Sequence, residues 1–153
     1  DFIRDQVAFV PEPLLRCGLA LAGANQHHRF RGANDGILTG LEILGTDLHG
    51  TELVVLDACE TGVGAVRDGE GTAGLHQAFH LAGARVVVAS LWSIPAKPSN
   101  QLLKFFFTNL AKGETTAASL RKAQLSMIAE LRQKLGVAHP LLWAAFTMTD
   151  ACR

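Results

Sequence analysis

Apolar positions along the chain fall into two kinds of pattern, unbroken runs and helical stripes, and the two kinds alternate. Leu53-Val54-Val55-Leu56 is a continuous aliphatic run of strand length, and Arg85 to Trp92 is another. Unbroken runs, as opposed to alternation, mark parallel strands covered on both faces. After the first run the period changes to that of a helix: Ala73, Leu75, Ala78, Phe79 and Ala82 predict a helix stopped at Gly83. After the second, Pro95-Ala96-Lys97-Pro98 breaks the chain. Leu102, Leu103, Phe106, Phe107 and Leu110 then trace one helical face closing at Gly113. A further stripe of Leu120, Met127 or Ile128, Leu131 and Leu135 predicts the next helix, with Thr115 or Thr116 as its cap. Pro140 precedes a last apolar run, Leu141 to Met148, read as a final buried strand.

The two remaining stretches are less regular. Residues 1–36 read as a loop, a short strand within Gly18 to Gly23, and a second loop. Leu38, Leu41 and Leu44 suit a short helix with Thr39 near its start and Gly45 at its end. Val63 to Thr72, with Gly64, Gly69 and Gly71 among charges, reads as a mobile loop. Strand, helix, strand, two helices, strand is the order of an α/β protein whose parallel strands are joined by helical crossovers, in three layers. No internal repeat or linker divides residues 1–153, which read as a single domain.

Composition narrows the function classes. With 48% hydrophobic and 18% charged residues, 153 residues can bury a substantial core. Lys plus Arg and Asp plus Glu both total 14, so no net field draws in nucleic acid or an anionic membrane. No apolar run approaches a membrane span. Cys17, Cys59 and Cys152 are three cysteines at spacings that fit neither a zinc ribbon nor a disulfide framework, and a reducing, cytoplasmic setting is expected.

The strand at Leu53 opens into Asp57-Ala58-Cys59-Glu60-Thr61-Gly62, so a cysteine is expected at a strand's C-terminal end. Leu53 to Gly62 resembles the strand and nucleophile turn of the CHAT domains, a caspase-like family often fused to tetratricopeptide repeats. Other segments follow the same pattern in order: Pro13-Leu14-Leu15, Gly18 to Asn25, Gly69 to Gly71, Gly74-Leu75, Ala78-Phe79, Ala82 to Arg85, Val88 to Trp92, Ala118 to Gln124, His139-Pro140 and Trp143 to Phe146. The resemblance implies a caspase-like three-layer α/β/α sandwich with a mainly parallel sheet, its N-terminal strands falling before Asp1. It further implies a Cys-His dyad with Cys59 as nucleophile, no metal and no cofactor, a protein or peptide substrate, and fused or associated repeat domains as regulators. The family's histidine turn precedes the Pro-Leu-Leu segment and is expected upstream of Asp1. His27 and His28 lie on the wrong side of the pattern to inherit that role.

The chemistry expected of such a site is specific. A thiol attacks a carbonyl as thiolate, and a neighbouring imidazole lowers its pKa and later protonates the leaving amine. The Cys59 backbone N–H and one from the histidine turn are placed to meet the developing oxyanion, while Gly62 permits a tight turn. Asp57, two residues before Cys59, shares its strand face. Its carboxylate either selects a Lys or Arg side chain before the cleaved bond, as the equivalent aspartate does in metacaspases, or holds the following loop. Asp57 also departs from the family, which usually has Ser there, and Ser93 to Pro98 stands where an acidic stretch is usual. Glu60 shapes the turn and the edge of the substrate site. Trp92 and Ser93 line the substrate pocket, with a buried core tryptophan as the other account of Trp92.

Other signals are set aside. Gly62-Val-Gly64-Ala-Val-Arg67 lacks the third glycine of a dinucleotide fingerprint. His76 and His80 share a helix face but have no third ligand or catalytic Glu. Phe105 is the outward ring expected of Phe105-Phe106-Phe107, and an exposed Phe105 would mark a partner surface. The resemblance thus implies a caspase-like cysteine endopeptidase, with a preference for basic residues where Asp57 takes its substrate role. The rival is a non-catalytic interaction module of the same fold.

Overall fold

The computed structural model describes residues 14, 17–25, 36–57 and 70–151, which divide into two compact units. The first is drawn from the chain up to His49 together with the helix that ends before Gly83. Here Gly18–Ala20 (β1) pairs antiparallel with Ile37–Thr39 (β2). Thr39 then caps the short helix Gly40–Leu44 (α1), its hydroxyl accepting from the Glu42 N–H while the Glu42 carboxylate accepts from the Thr39 N–H at 2.8 Å. The predicted short helix is therefore real, but Leu38 belongs to a strand. Three residues are too few for periodicity to reveal one, and what secures β2 is its pairing with β1. Gly40 is required by crowding, since a Cβ there would lie 2.6 Å from Cys17 Sγ and 2.8 Å from the Leu14 carbonyl oxygen.

The helix Glu70–Leu81 (α2) completes this unit, packing on α1. It begins earlier than the apolar stripe suggests, so residues 70–72, expected in a mobile loop, are its first turn. Residues 63–69 of that expected loop lie outside the described residues. Leu75, Ala78, Phe79 and Ala82 are buried as the stripe predicts, and His76 is buried with them. Gly83 ends the segment at φ 113°, where an added Cβ would also meet the His49 backbone nitrogen at 2.8 Å.

The second unit is built on a three-stranded sheet. Leu53–Leu56 (β3) pairs parallel with Val86–Ser90 (β4), and β4 pairs antiparallel with Phe146–Asp150 (β5). Both predicted strand runs are confirmed, and β4 is buried at all five positions. Every residue of β3 is half-buried, short of the two-sided cover its composition suggests; among the described residues it has a neighbour strand on one side only. The last strand is a correction twice over. It starts at Phe146, after the 3-10 turn Pro140–Leu142 has absorbed the front of the apolar run, and it runs antiparallel to β4.

The reversal follows from the two helices between the strands. Ala96–Leu110 (α3) and Thr116–Leu135 (α4) are joined by a short turn containing Gly113 at φ 84° and pack closely on each other. A helix pair goes out and back, so the chain re-enters the sheet from the end it left, and only an antiparallel strand fits. Helix α3 starts at Ala96, so Pro98 lies inside its first turn, where a missing N–H costs no helical bond. Thr115 caps α4, accepting from the Ala118 N–H at 3.3 Å, and Gly136 in the left-handed conformation ends it. Leu102, Phe106, Leu120, Ala123 and Met127 from the helices meet Val86, Val88, Ile94 and Phe146 in one core. Two stripe assignments shift. Leu135 is exposed at the end of α4, and Phe107, not Phe105, is the outward ring, 48% exposed, while Phe105 packs against the core. Phe105 is therefore not the exposed ring that would have marked a partner surface.

Candidate active site at the sheet edge

Because β3 and β4 are parallel, their C-terminal ends emerge at one edge of the sheet, with Leu56 opposite Ala89. β5 enters at the same edge, Phe146 lying opposite Ser90, and the Leu91 N–H donating to the Ala145 carbonyl at 2.8 Å adds a rung to that ladder. Four chain segments therefore converge on this edge: Asp57 leaving β3, Leu91 to Ser93 leaving β4, the residues before Phe146, and the first turn of α3. Loops outside the carboxyl ends of parallel strands form the crevice in which α/β proteins bind ligands.

Asp57 is solvent-exposed, and its Oδ2 accepts a 2.7 Å hydrogen bond from the Ser99 hydroxyl. Ser99 is 1% exposed on the inner face of α3, and its own N–H already donates to the Pro95 carbonyl at 3.2 Å. Helix α3 has no side-chain cap at Pro95 and no acidic residue in its first turn. The Asp57 carboxylate thus brings from β3 the negative charge that the positive end of a helix favours. Of the two roles open to Asp57, the holding role has a partner, although it is the hydroxyl of a helix residue and not a loop N–H.

Trp92 is 36% exposed, which removes the core account of it. Its indole Nε1–H donates to the Leu141 carbonyl at 3.2 Å, tying the end of β4 to the 3-10 turn. That turn is shaped in its own right: His139 Nδ1 accepts from the Leu141 N–H at 3.2 Å, and the Trp143 indole donates to the Ala138 carbonyl at 3.2 Å. Leu91, Trp92 and Leu141 leave apolar surface exposed beside the polar, exposed Ser93. Of the residues singled out in the sequence, Asp57, Trp92 and Ser93 are thus brought to one edge. Cys59, Glu60 and Gly62 lie outside the described residues. Ser99 was not anticipated, yet it carries a signal: Ser99, Leu102 and Phe106 stand at i, i+3 and i+7, so a hydroxyl occupies an apolar stripe and needs a buried partner.

Burial pushes the Cys17 thiol above its ordinary range, outweighing the backbone hydrogen bonds that act the other way, and its Sγ–H points to the Leu14 carbonyl at 3.7 Å. Burial, with the nearby His80 second, holds His76 below the usual histidine range. Among the described residues no group of His, Cys, Asp and Glu side chains could hold a metal ion. A cavity of about 340 Å³ lined by Arg85, Glu114, Thr115, Met148 and Asp150 sits at the other end of β4, away from the convergent edge. Two of its charges are paired, Arg85 with Glu52 and Glu114 with Lys122, each at 2.5 Å.

The family model of the CHAT domain matches residues 6–151, nearly the whole chain. The chain belongs to the CHAT domain family. This family is related to the caspase-like peptidases, and the mixed α/β architecture agrees with that fold. Tetratricopeptide repeat protein 28 of Mus musculus is 31% identical to this CHAT domain over 112 residues, 73% of the chain. The Homo sapiens protein of the same name is 30% identical over 112 residues. The matched region is 4% of either relative, so the CHAT domain described here corresponds to a small part of much longer proteins. Among the described residues no helix is long and apolar enough to cross a membrane.

Proposed function

We propose that this CHAT domain is the nucleophile-bearing portion of a cysteine endopeptidase that cleaves protein or peptide substrates after basic residues. One observation carries the reading: the strand that leads into Cys59 ends, at Asp57, on the same sheet edge to which β4 brings Trp92 and Ser93. The Cys59 thiolate attacks the substrate carbonyl carbon. As the tetrahedral adduct collapses, the C–N bond breaks, the amine takes a proton from an imidazole, and an acyl-thioester remains for water to hydrolyse. The backbone N–H of Cys59 serves the oxyanion, Gly62 allows the turn, and Glu60, Trp92 and Ser93 border the substrate. The imidazole is the part that the family pattern assigns to a turn preceding Pro13-Leu14-Leu15. This chemistry uses neither metal nor cofactor, and a thiolate nucleophile calls for a reducing, cytoplasmic setting.

The relatives are named as tetratricopeptide repeat proteins, and this supports repeat domains as regulators of the CHAT domain. It equally favours a second reading, a non-catalytic caspase-like module that the repeats use for protein contact. Labelling separates the two. A peptide bearing an electrophile after Arg should modify the full-length protein at Cys59, and Cys59→Ala should abolish the adduct. Labelling that survives Cys59→Ala, or no labelling of the unsubstituted protein, would overturn the peptidase reading.

A further inference from the structure

We infer that Ser99 is a specificity-determining positioning residue: through its hydrogen bond to Asp57 it holds the carboxylate at the sheet edge in one orientation for a Lys or Arg side chain of the substrate. The inference rests on the peptidase reading for its substrate class, but its physical content is narrower. An exposed carboxylate at a strand end ordinarily samples several rotamers. Here one oxygen is fixed at 2.7 Å by a hydroxyl that is itself buried on a helix packed into the core. A bond between a hydroxyl and an ionised carboxylate is among the stronger hydrogen bonds. The Ser99 hydroxyl donates its one proton to this bond, while the Ser99 backbone N–H separately serves the Pro95 carbonyl.

A carboxylate has two oxygens and about four acceptor positions. Ser99 takes one of these; among the described residues it is the hydrogen-bond partner that Asp57 has. Among the described residues the charge is therefore oriented without being neutralised, which is what recognition of a guanidinium or ammonium group requires. Ordering the carboxylate before the substrate arrives also removes part of the entropy cost of binding. A purely structural tie between β3 and α3 would not need the charge, since an Asn oxygen at position 57 would accept the same bond. That difference makes the proposal testable.

The test is equilibrium binding of N-acetylarginine methylamide and its uncharged norleucine counterpart to the whole domain, followed by NMR shifts. The wild-type protein is expected to prefer the arginine peptide. Asp57→Asn, which keeps an acceptor for Ser99, should abolish that preference. Ser99→Ala, which keeps the charge, should reduce it roughly ten-fold, the lower end expected for a hydrogen bond to a charged group. Ser99→Cys retains the small volume with a weaker donor and should give an intermediate value, so the question stays open to test even where the alanine variant fails to fold. Equal binding of the two peptides by the wild type, or a preference unmoved in both Ser99 variants, would overturn the inference. Neither probe reacts with a thiol. Arginine preference with an unreactive Cys59 would thus uphold Ser99 and Asp57 while sinking the peptidase reading, and the reverse result would do the opposite.

Discussion

Single side chains in this domain are decided by what surrounds them more than by type. His76 and His80 are one turn apart on α2, yet only His76 is buried, and burial holds its ring in the neutral form. Its folded pKa lies below the ordinary value of 6.5. The unfolded chain therefore takes up a proton first as pH falls, and stability is full above about 6.5 and declines below it. One such group contributes a slope of at most about 1.4 kcal/mol per pH unit. Urea titrations between pH 7.5 and 5 should show a shallower decline in His76→Leu than in the wild type. An identical slope in the two proteins would mean that other groups govern the acid limb. Asp57 follows the same logic: the sequence allowed it either a substrate role or a holding role, and its bond to Ser99 shows that one carboxylate can hold the helix turn and keep its charge exposed.

At the scale of the element, legibility depended on length and period. β3, β4 and the two long helices were readable because each repeats its pattern over enough residues to be unmistakable. The cap at Thr115 or Thr116 was likewise readable, since a cap needs only one residue type at one place, whereas the Gly136 stop was read from the structure. β2 was not, because three residues carry no period and the β1 register is information from elsewhere in the chain. The phenylalanine cluster shows the same limit at finer grain. Leu102, Phe105 and Phe106 are three and four positions apart and share the inner face, whereas Phe107 has rotated past it. Phe106→Ala should cost about 3–5 kcal/mol, the range for emptying an aromatic site in a core. Phe107→Ala, losing chiefly an edge-on contact with Phe106 at 5.2 Å between ring centres, should cost about 1 kcal/mol. Chemical denaturation of the pair measures both, and equal losses would contradict the assignment of faces. At the candidate site the end of β3 at Asp57 was legible as a motif. Ser99 was overlooked because its partner lies 42 residues away and no local pattern encodes that distance.

At the scale of the whole molecule, the antiparallel return of β5 has a cost in time. Helices α3 and α4 meet across a turn of a few residues, whereas Val86 must find Asp150, at the far side of both helices. Closing a long loop before its contacts can reward it slows folding, so near contacts should form before distant ones. Mutations in the helix pair, at Leu102 and Leu120, are therefore expected to give higher φ-values than mutations at Thr147 or Thr149 in β5. Stopped-flow refolding of these variants would show it, and a β5 formed as early as the helices would reverse the order. On a ribosome the same geometry acts as a delay. The middle strand, β4, leaves the tunnel more than fifty residues ahead of its antiparallel partner. Until Phe146 arrives, a nascent chain carries one open flank of that strand, and the interval is when a chaperone would find it.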